Sequence, residues 1–328
     1  MVTGISVVIP NYNGVRLFEH TLPTVVETLQ HAGKPYEIVV VDDCSTDASV
    51  EYLRQHYPKV RILQNSVNSG FSVTANKGIR AATYDKVLLL NSDVKLTAGY
   101  FDNQYKYFDK PDTFGVMGRI VGWDDDKIQD GAKYPYYHGS KIKTSGNYLL
   151  EDKSLMQDGL YSMYLSGANA FLDRDKFLQI GGFNELFSPF YVEDYELSLR
   201  AWRLGYKCYY DYNSVCRHQV STSIKSKSKK KYVSTIYDRN KMYLHAIHLE
   251  GVKRLLWFLQ LIPEALIRVL TLRWHYLKSL RLFMSSYKGV QQSRHDFEVL
   301  SKKLDKRQSV PNVMSFILSS IKDGVKKF

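Results

Sequence analysis

The chain has 328 residues, of which 44% are hydrophobic and 24% charged, and its formal net charge is +12. This length can bury a large core, and it predicts one large domain with an appendage, or two domains. The positive charge favours nucleic acid, anionic lipid or phosphorylated ligands, without selecting among them.

The three cysteines, Cys44, Cys208 and Cys216, form neither a CxxC pair nor an even set. This argues against a zinc site or a disulfide framework and favours a reducing compartment. The first residues lack the basic and apolar regions of a signal peptide, so we expect a cytoplasmic protein.

The first hundred residues alternate between short apolar runs and amphipathic segments. The apolar runs predict strands over residues 5–10, 37–41, 60–63 and 86–93. Helices between strands at this spacing predict a parallel sheet with right-handed crossovers. Polar residues that follow each strand would then meet at one edge of the sheet, where α/β proteins bind ligands: Asn11, Asp43, Asn68 and Asp93.

The fourth apolar run ends in Asn91, Ser92 and Asp93. A carboxylate at this edge suits a hard cation such as Mg²⁺ or Mn²⁺ that is shared with a phosphate. The same three residues could equally form a helix cap. Neither a Walker A motif nor GxGxxG occurs in the chain, so motifs give no support to a P-loop kinase or a dinucleotide-binding enzyme.

A second group of polar residues lies between positions 165 and 200. Glu193 and Asp194 begin a segment with helical spacing of apolar residues. The helix dipole stabilises acids there, which is a sufficient explanation for Glu196. For the adjacent Glu193 and Asp194, which follow an aromatic-rich stretch, a general base is the sharper hypothesis.

Several motifs together resemble glycosyltransferase family 2, especially its rhamnosyltransferase-like branch that builds bacterial surface polysaccharides. They occur in the family's order and spacing, over the first two-thirds of the chain, at residues 7–13, 38–47, 68–71 with 76–79, 90–93, and 181–185 with 193–194. The resemblance implies a GT-A fold, which is an α/β fold with a mostly parallel sheet flanked by helices. It also implies inverting transfer from a nucleotide-diphosphate sugar to a glycan or lipid-linked acceptor.

The resemblance assigns roles to individual residues. Asp194 would be the general base, with Gly167 and Glu193 on the acceptor side. Asp93 would hold Mn²⁺ or Mg²⁺ on the diphosphate, and His218 would add a metal or diphosphate contact. The nucleotide-sugar would be bound by Pro10, Asn11, Tyr12, Asn13, Asp42, Asp43, Asn68, Gly70, Asn76, Asn91, Ser92 and Asp93. Two positions depart from the family pattern, because Asn91 replaces the first acid of Asp-x-Asp and Asn184 replaces the acid of Phe-Asp-Glu.

We expect a catalytic domain over residues 1–222, with a nucleotide-sugar half at 1–99 and an acceptor half at 100–222. Within it, residues 123–157 show little periodicity and predict a surface excursion that serves acceptor recognition or is an inert insertion. A lysine-rich loop would follow at 223–231, and then a helical region at 232–328. That loop is either solvated or folds over the diphosphate.

The most apolar part of the chain, residues 255–270, is interrupted by Pro263, Glu264 and Arg268 and is therefore too short and too charged for a membrane span. Flanking basic residues, with Trp257 and Trp274, fit a helix that lies in an anionic membrane interface. The alternative is an amphipathic helical pair packed on the catalytic domain or on a second subunit of a homo-oligomer. Nucleic acid is disfavoured because no recognised binding motif accompanies these helices.

Two other functions stay open at this point. A nucleotidyltransferase can share a similar sheet, but it would carry a Gly- and Lys/Arg-rich loop after the first strand, unlike residues 11–14. A binding protein with a decayed site is suggested by Asn91, while Glu193 and Asp194 argue against it.

Overall fold

The computed structural model of the protein describes residues 2–219, 230–321 and 324–327. Its first part alternates strands and helices, as the apolar runs predict. The elements are β1 (Val2–Asn11), α1 (Val15–His31), β2 (Tyr36–Asp42), α2 (Ser49–His56), β3 (Arg61–Gln64), α3 (Phe71–Ala81) and β4 (Tyr84–Leu90). The fourth strand ends three residues before Asp93, because the chain turns there and the amide of Val94 donates to the carbonyl of Asn91.

The next part adds mostly short strands and two helices. They are β5 (Val94–Leu96), β6 (Thr113–Gly122), β7 (Ile128–Asp130), β8 (Ala132–His138), β9 (Lys141–Leu150), β10 (Leu160–Tyr161), β11 (Asn169–Asp173), α4 (Arg174–Gln179), α5 (Glu193–Arg203) and β12 (Lys207–His218). Three short 3₁₀ helices cover Tyr105–Asp109, Lys153–Met156 and Glu185–Phe187.

The main sheet has the strand order β10-β12-β6-β11-β4-β1-β2-β3. The four strands β4, β1, β2 and β3 are parallel, and their carboxyl ends share one edge. Strand β11 runs antiparallel between β4 and β6, while β12 is parallel to β6. Strands buried on both faces explain the nearly continuous apolar runs of β1, β2 and β4.

Residues 123–157 are more regular than the sequence suggested. Strands β8 and β9 form an antiparallel hairpin, and β13 (Val325–Lys327) pairs with β9. The expectation of an irregular excursion is therefore wrong for most of this segment. The turn between the strands is Gly139-Ser140, a pair typical of two-residue hairpins. This pair is the feature of the sequence from which the hairpin could have been predicted. Buried side chains such as Ile142 and Tyr148 hold the hairpin against the domain.

Five helices follow β12 in the described part of the chain. They are α6 (Lys230–His248), α7 (Gly251–Leu270), α8 (His275–Ser285), α9 (Tyr287–Leu304) and α10 (Val310–Ser319). Lys230 and Lys231 are thus helical, which corrects the end of the predicted basic loop. Lys225, Lys227 and Lys229 lie outside the described residues. None of the helices described is both long enough and apolar enough to cross a bilayer.

Candidate active site

A cavity of about 330 Å³ opens at the carboxyl edge of the parallel strands. Its volume is within the range of ligand pockets. It unites predicted donor, metal and acceptor residues that are separated by more than 200 positions in sequence. The lining residues are Pro10, Asn11, Tyr12, Asp43, Phe71, Thr74, Asn91, Ser92, Asp93, Ser166, Gly167, Ala168, Phe190, Tyr191, Glu193, Asp194 and His218.

Asp93 and His218 meet because their strands pair. His218 is the last residue of β12 and lies opposite Val94 of β5, and the amide of Gln219 donates to the carbonyl of Asp93. His218 Nε2 is 3.5 Å from Asp93 Oδ1. This carboxylate oxygen is buried and has no hydrogen-bond partner among the described residues. A buried unpaired carboxylate oxygen is costly unless a proton or a cation satisfies it.

Gln129, on β7, fixes the orientation of the His218 ring. Its amide nitrogen donates to the His218 carbonyl at 3.3 Å, so its amide oxygen lies toward His218 Nδ1, at 3.0 Å. The oxygen requires Nδ1 to carry the proton, which leaves a lone pair on Nε2 of the neutral ring. That lone pair and Asp93 Oδ1 are therefore available to one cation, with Gln129 as the outer partner that metal-binding histidines typically have.

These two residues fit a divalent cation that takes its remaining ligands from phosphate and water. No group of three or more His, Cys, Asp or Glu able to hold a metal occurs within residues 2–219, 230–321 and 324–327.

Glu193 and Asp194 are in the first turn of α5. The preceding Tyr191 and Val192 both have positive φ, at 74° and 73°, which is costly for residues with side chains. The chain is thus forced into a sharp entry to the helix. This entry places both acids on the wall of the cavity.

The two acids differ in their surroundings. Burial raises the pKa of Asp194 to about 6, although backbone amides of Tyr195 and Gly167 donate to its two carboxylate oxygens and limit the rise. Burial and the Asp194 charge raise the pKa of Glu193 well above its usual value, and Glu193 Oε2 has no partner among the described residues. The raised pKa makes Glu193 the weaker acid of the pair, so the ionised Asp194 carboxylate is the group that can accept a proton.

The profile described as "Glycosyl transferase family 2" matches residues 6–181, more than half of the chain. The chain belongs to this family. The match favours a glycosyltransferase over a nucleotidyltransferase.

Curated relatives of this family 2 chain include two named glycosyltransferases. It is 30% identical over 122 residues to the poly(ribitol-phosphate) beta-glucosyltransferase of Bacillus spizizenii, covering 36% of this chain and 19% of the relative. It is 23% identical over 202 residues to the N-acetylglucosaminyl-diphospho-decaprenol L-rhamnosyltransferase of Mycobacterium tuberculosis, covering 54% and 64% respectively. The chain thus spans from a fifth to under two-thirds of these relatives' own lengths.

Among solved structures, GalNAc-T7 with UDP, GalNAc and Mn²⁺ superposes with a TM-score of 0.66 at 15% identity. The superposition covers 98% of the family 2 chain and 57% of that protein. The predicted GT-A fold is confirmed.

Some predicted donor residues of the family 2 chain are not in the cavity, because their polar groups bind the protein itself. Asn13 Oδ1 accepts from the amides of Thr46 and Asp47. Asp42 accepts from Asn11 Nδ2 and the Ser45 amide. These contacts shape the loops beneath the cavity, so the structure gives Asn13 and Asp42 a supporting position.

Asn76 also lies outside the cavity. Its side chain bonds the amide and the carbonyl of Phe183 and the carboxylate of Glu185. Gly182, with a φ of 72°, has no room for a side chain, since a Cβ would lie 2.6 Å from Asn76 Oδ1. The Asn76 and Gly-Gly-Phe motifs therefore join α3 to the chain before α5.

The loop after β3 is tied to the cavity through Asp43. Asp43 lines the cavity, while its oxygens accept from Asn65 Nδ2 and the amides of Ser69 and Gly70, each at 2.8 Å. A Cβ on Gly70 would lie 2.6 Å from Pro189 Cα, so glycine permits close contact with the chain before α5. Asn68 in this loop is exposed and is not part of the cavity wall.

Asn240, on α6, supports the strained entry to α5 and was not predicted. Its buried Nδ2 lies 2.6, 3.0 and 2.8 Å from the carbonyls of Phe187, Phe190 and Tyr191. Arg239 binds both Asn240 Oδ1 and the Ser188 carbonyl. The C-terminal helices are therefore part of the support of the active site.

The sequence explained Glu196 by the helix dipole, which is a structural role. In the structure Glu196 forms an ion pair with Arg200. Burial alone would raise its pKa, yet Arg200 and His248 lower it to about 2. Arg200 Nη2 lies 2.8 Å and His248 Nε2 3.2 Å from its carboxylate. These contacts join α5 to α6.

Proposed function

We propose that the protein is an inverting glycosyltransferase. It transfers a sugar from a nucleotide-diphosphate donor to a hydroxyl group of a glycan or lipid-linked glycan. The observation that supports this most directly is the single cavity whose wall carries Asp93 with His218 and Asp194 with Glu193. Such a cavity can hold a leaving diphosphate near the first pair and an attacking hydroxyl near the second.

The donor side would be formed by residues at the ends of β1, β2 and β4. Pro10, Asn11, Tyr12 and Asp43 lie on the cavity wall where a nucleoside would bind. Mn²⁺ or Mg²⁺, bound by Asp93 and His218, would neutralise charge on the leaving diphosphate. The buried Asp93 oxygen and the oriented His218 ring hold that part of the donor in one position.

On the acceptor side, Asp194 would accept the proton of the attacking hydroxyl. The hydroxyl oxygen forms a new bond to the anomeric carbon while the bond from that carbon to the phosphate oxygen breaks. The electron pair of the broken bond leaves with the nucleoside diphosphate. Burial and the Asp194 charge raise the pKa of Glu193, which favours its neutral form and limits charge repulsion beside the base. One displacement inverts the anomeric carbon, so no covalent intermediate is required.

A donor panel tests the proposal. We expect one or more nucleotide sugars, with Mn²⁺, to raise the melting temperature, because a ligand that binds only the folded state stabilises it. Slow hydrolysis of the same donor should be measurable without an acceptor. Asp93→Asn should lose the Mn²⁺-dependent stabilisation, whereas Asp175→Asn, at an exposed acid, should retain it.

Stabilisation by no donor, or equal stabilisation of Asp93→Asn, would contradict the donor and metal assignments. Binding without any hydrolysis or transfer would favour the decayed binding protein.

We further propose that α7 binds an anionic membrane surface. One side of this helix packs on the protein through Trp257 and Leu261. The other carries a stripe of apolar residues that are 53–81% exposed: Leu255, Leu259, Ile262, Leu266 and Leu270. Exposed basic residues follow it in the chain, at Arg273, Lys278 and Arg281. An exposed apolar stripe followed by cations suits the interface of an anionic bilayer.

Vesicle sedimentation tests this surface. We expect binding to phosphatidylglycerol-containing vesicles and little binding to phosphatidylcholine vesicles. Leu266→Glu should abolish it, while Val299→Glu, at an exposed apolar residue of α9, should not. If Leu266→Glu instead dissociates a dimer in solution and leaves vesicle binding unchanged, the stripe is a subunit interface.

A further inference from the structure

A second cavity, of about 310 Å³, lies on the other side of the proposed base. Asp194 and Tyr191 line both cavities, so the two meet at the carboxylate that would accept the proton. Its wall includes β9 of the hairpin and α6 of the C-terminal region. If the first cavity holds the donor, the second is where the acceptor hydroxyl would approach.

The wall of the second cavity is rich in tyrosine. Five tyrosines contribute to it, namely Tyr136, Tyr164, Tyr191, Tyr195 and Tyr237. The rings of Tyr164 and Tyr195 are stacked, with centroids 5.1 Å apart. The buried hydroxyl of Tyr195 has no hydrogen-bond partner in the described part of the chain. Aromatic faces and an unpaired hydroxyl suit a ligand with both apolar and polar edges, such as a sugar or polyol.

Two lysines give this wall a positive charge. Lys143 of β9 and Lys241 of α6 both line the cavity and are partly buried. Lys241 Nζ lies 3.9 Å from the ring centre of Tyr237. Within residues 2–219, 230–321 and 324–327, neither lysine has a carboxylate within 4.0 Å.

Glu264 and Asp238 act on these lysines through their charges, and each also contacts another residue. Glu264 is paired with Lys141 and accepts from the Tyr276 hydroxyl, and Asp238 lies 3.6 Å from His275 Nε2. Burial lowers the pKa of Lys143, and the ammonium groups of Lys241 and Lys141 lower it further. Partly buried ammonium groups that repel each other are stabilised by an anion between them.

We infer that the second cavity binds an acceptor carrying an anionic group, either a phosphate or a carboxylate, through Lys143 and Lys241. This rests on the proposed function, and it specifies the acceptor's class as an acidic glycan or polyol-phosphate chain. The tyrosines contact the unit that carries the attacking hydroxyl. The two lysines hold an acidic group of the same chain and so set the position of that unit next to Asp194.

The test measures equilibrium binding of three polymers at low salt: poly(ribitol phosphate), polygalacturonate and neutral dextran. We expect one or both acidic polymers to bind at least tenfold more tightly than dextran. Binding of poly(ribitol phosphate) alone identifies a phosphate site, and binding of polygalacturonate alone a carboxylate site. The double variant Lys143→Gln/Lys241→Gln should weaken binding of the acidic polymers about tenfold or more, since each lysine that is removed leaves an anionic group of the polymer without its cation.

Two controls separate this effect from net charge and misfolding. Lys302→Gln/Lys303→Gln removes the same charge from an exposed part of α9 and should bind within twofold of the parent. Lys143→Arg/Lys241→Arg should retain most of the binding. Equal losses in both glutamine variants, or no preference of the parent protein for either acidic polymer over dextran, overturns the inference.

Hydrolysis of the donor by the parent protein, measured without acceptor, tests the proposed function separately. Donor hydrolysis together with a negative polymer result rejects only the acidic acceptor. Absence of donor binding and hydrolysis rejects the glycosyltransferase itself.

Discussion

The proposed active site has a donor side and an acceptor side that are built in different ways. The donor side is formed largely by residues that immediately follow β1, β2 and β4, three neighbouring parallel strands. The acceptor side combines α5, the β8–β9 hairpin and α6, which come from three distant parts of the chain. A local sequence pattern can therefore locate the donor side, whereas the acceptor side depends on tertiary packing.

We expect the donor side to carry the chemistry that members of the family share, and the acceptor side to determine which acceptor is used. The donor side lies almost entirely within residues 6–181, which match the family profile. Asp194, and Tyr237 and Lys241 of α6, lie beyond that match, while Lys143 of the hairpin lies within it. Residues that discriminate between acceptors are thus expected both in the hairpin and in the part of the chain that follows the match.

The largest expected effect is that of Asp194→Asn, which removes the proposed base from the acceptor side. Transfer should fall by about 10²- to 10⁴-fold, because an amide cannot take the hydroxyl proton at neutral pH. Stabilisation by donor with Mn²⁺ should stay close to that of the parent protein. Initial rates of sugar transfer, with donor-dependent melting in parallel, give both values. Full turnover in the variant would remove Asp194 from its role.

Asn240→Asp tests whether α6 sustains the acceptor side. The substitution replaces the side-chain amide NH2 group, which donates to three carbonyls, with a carboxylate oxygen that repels them. We expect kcat to fall by up to about 10²-fold as Asp194 is displaced, since small displacements of a catalytic group have effects of this size. Kinetics at saturating donor measure the change.

The same change at Asn312, an exposed residue of α10, is the matched control and should leave kcat unaltered. Loss of donor binding in Asn240→Asp, in proportion to the loss of kcat, would instead indicate general unfolding of the site.

Gln129→Leu tests the donor side. Without the amide, His218 loses the contact that fixes its proton on Nδ1, so the affinity for Mn²⁺ should fall by about 10- to 100-fold. Titration of Mn²⁺ against donor-dependent melting measures the affinity. Transfer at saturating Mn²⁺ should largely recover, which would distinguish this variant from those on the acceptor side.

The sequence predicted which residues meet at the edge of the sheet because the evidence was local. Asn11, Asp43 and Asp93 follow apolar runs, and parallel strands bring their ends together. The contacts of Asn13 and Asp42 with neighbouring loops were not predicted, because a position at a strand end does not reveal which polar groups the loops use.

The acceptor side was predicted only at Gly167, Glu193 and Asp194. Asn240 contacts carbonyls 49 to 53 positions earlier in the chain, and no periodic pattern specifies such a contact. The role of Asn240 depends on how α6 packs. Lys143 and Lys241 are nearly a hundred positions apart and meet only because β9 and α6 line the same cavity.

The pH dependence of transfer gives the smallest effect, and it sharpens the contrast between the two acids. Burial raises the pKa of Asp194 to about 6, and the base acts when ionised. At saturating donor and Mn²⁺, kcat should therefore be nearly constant above pH 7, fall through a midpoint near pH 6, and approach a tenfold loss per pH unit below it. Burial and the Asp194 charge raise the pKa of Glu193 well above its usual value, so the acid limb is assigned to Asp194. Glu193→Gln should therefore keep the pH profile of the parent protein, with little change in its midpoint. If Glu193 were the base instead of Asp194, the midpoint of the parent protein would lie at clearly higher pH.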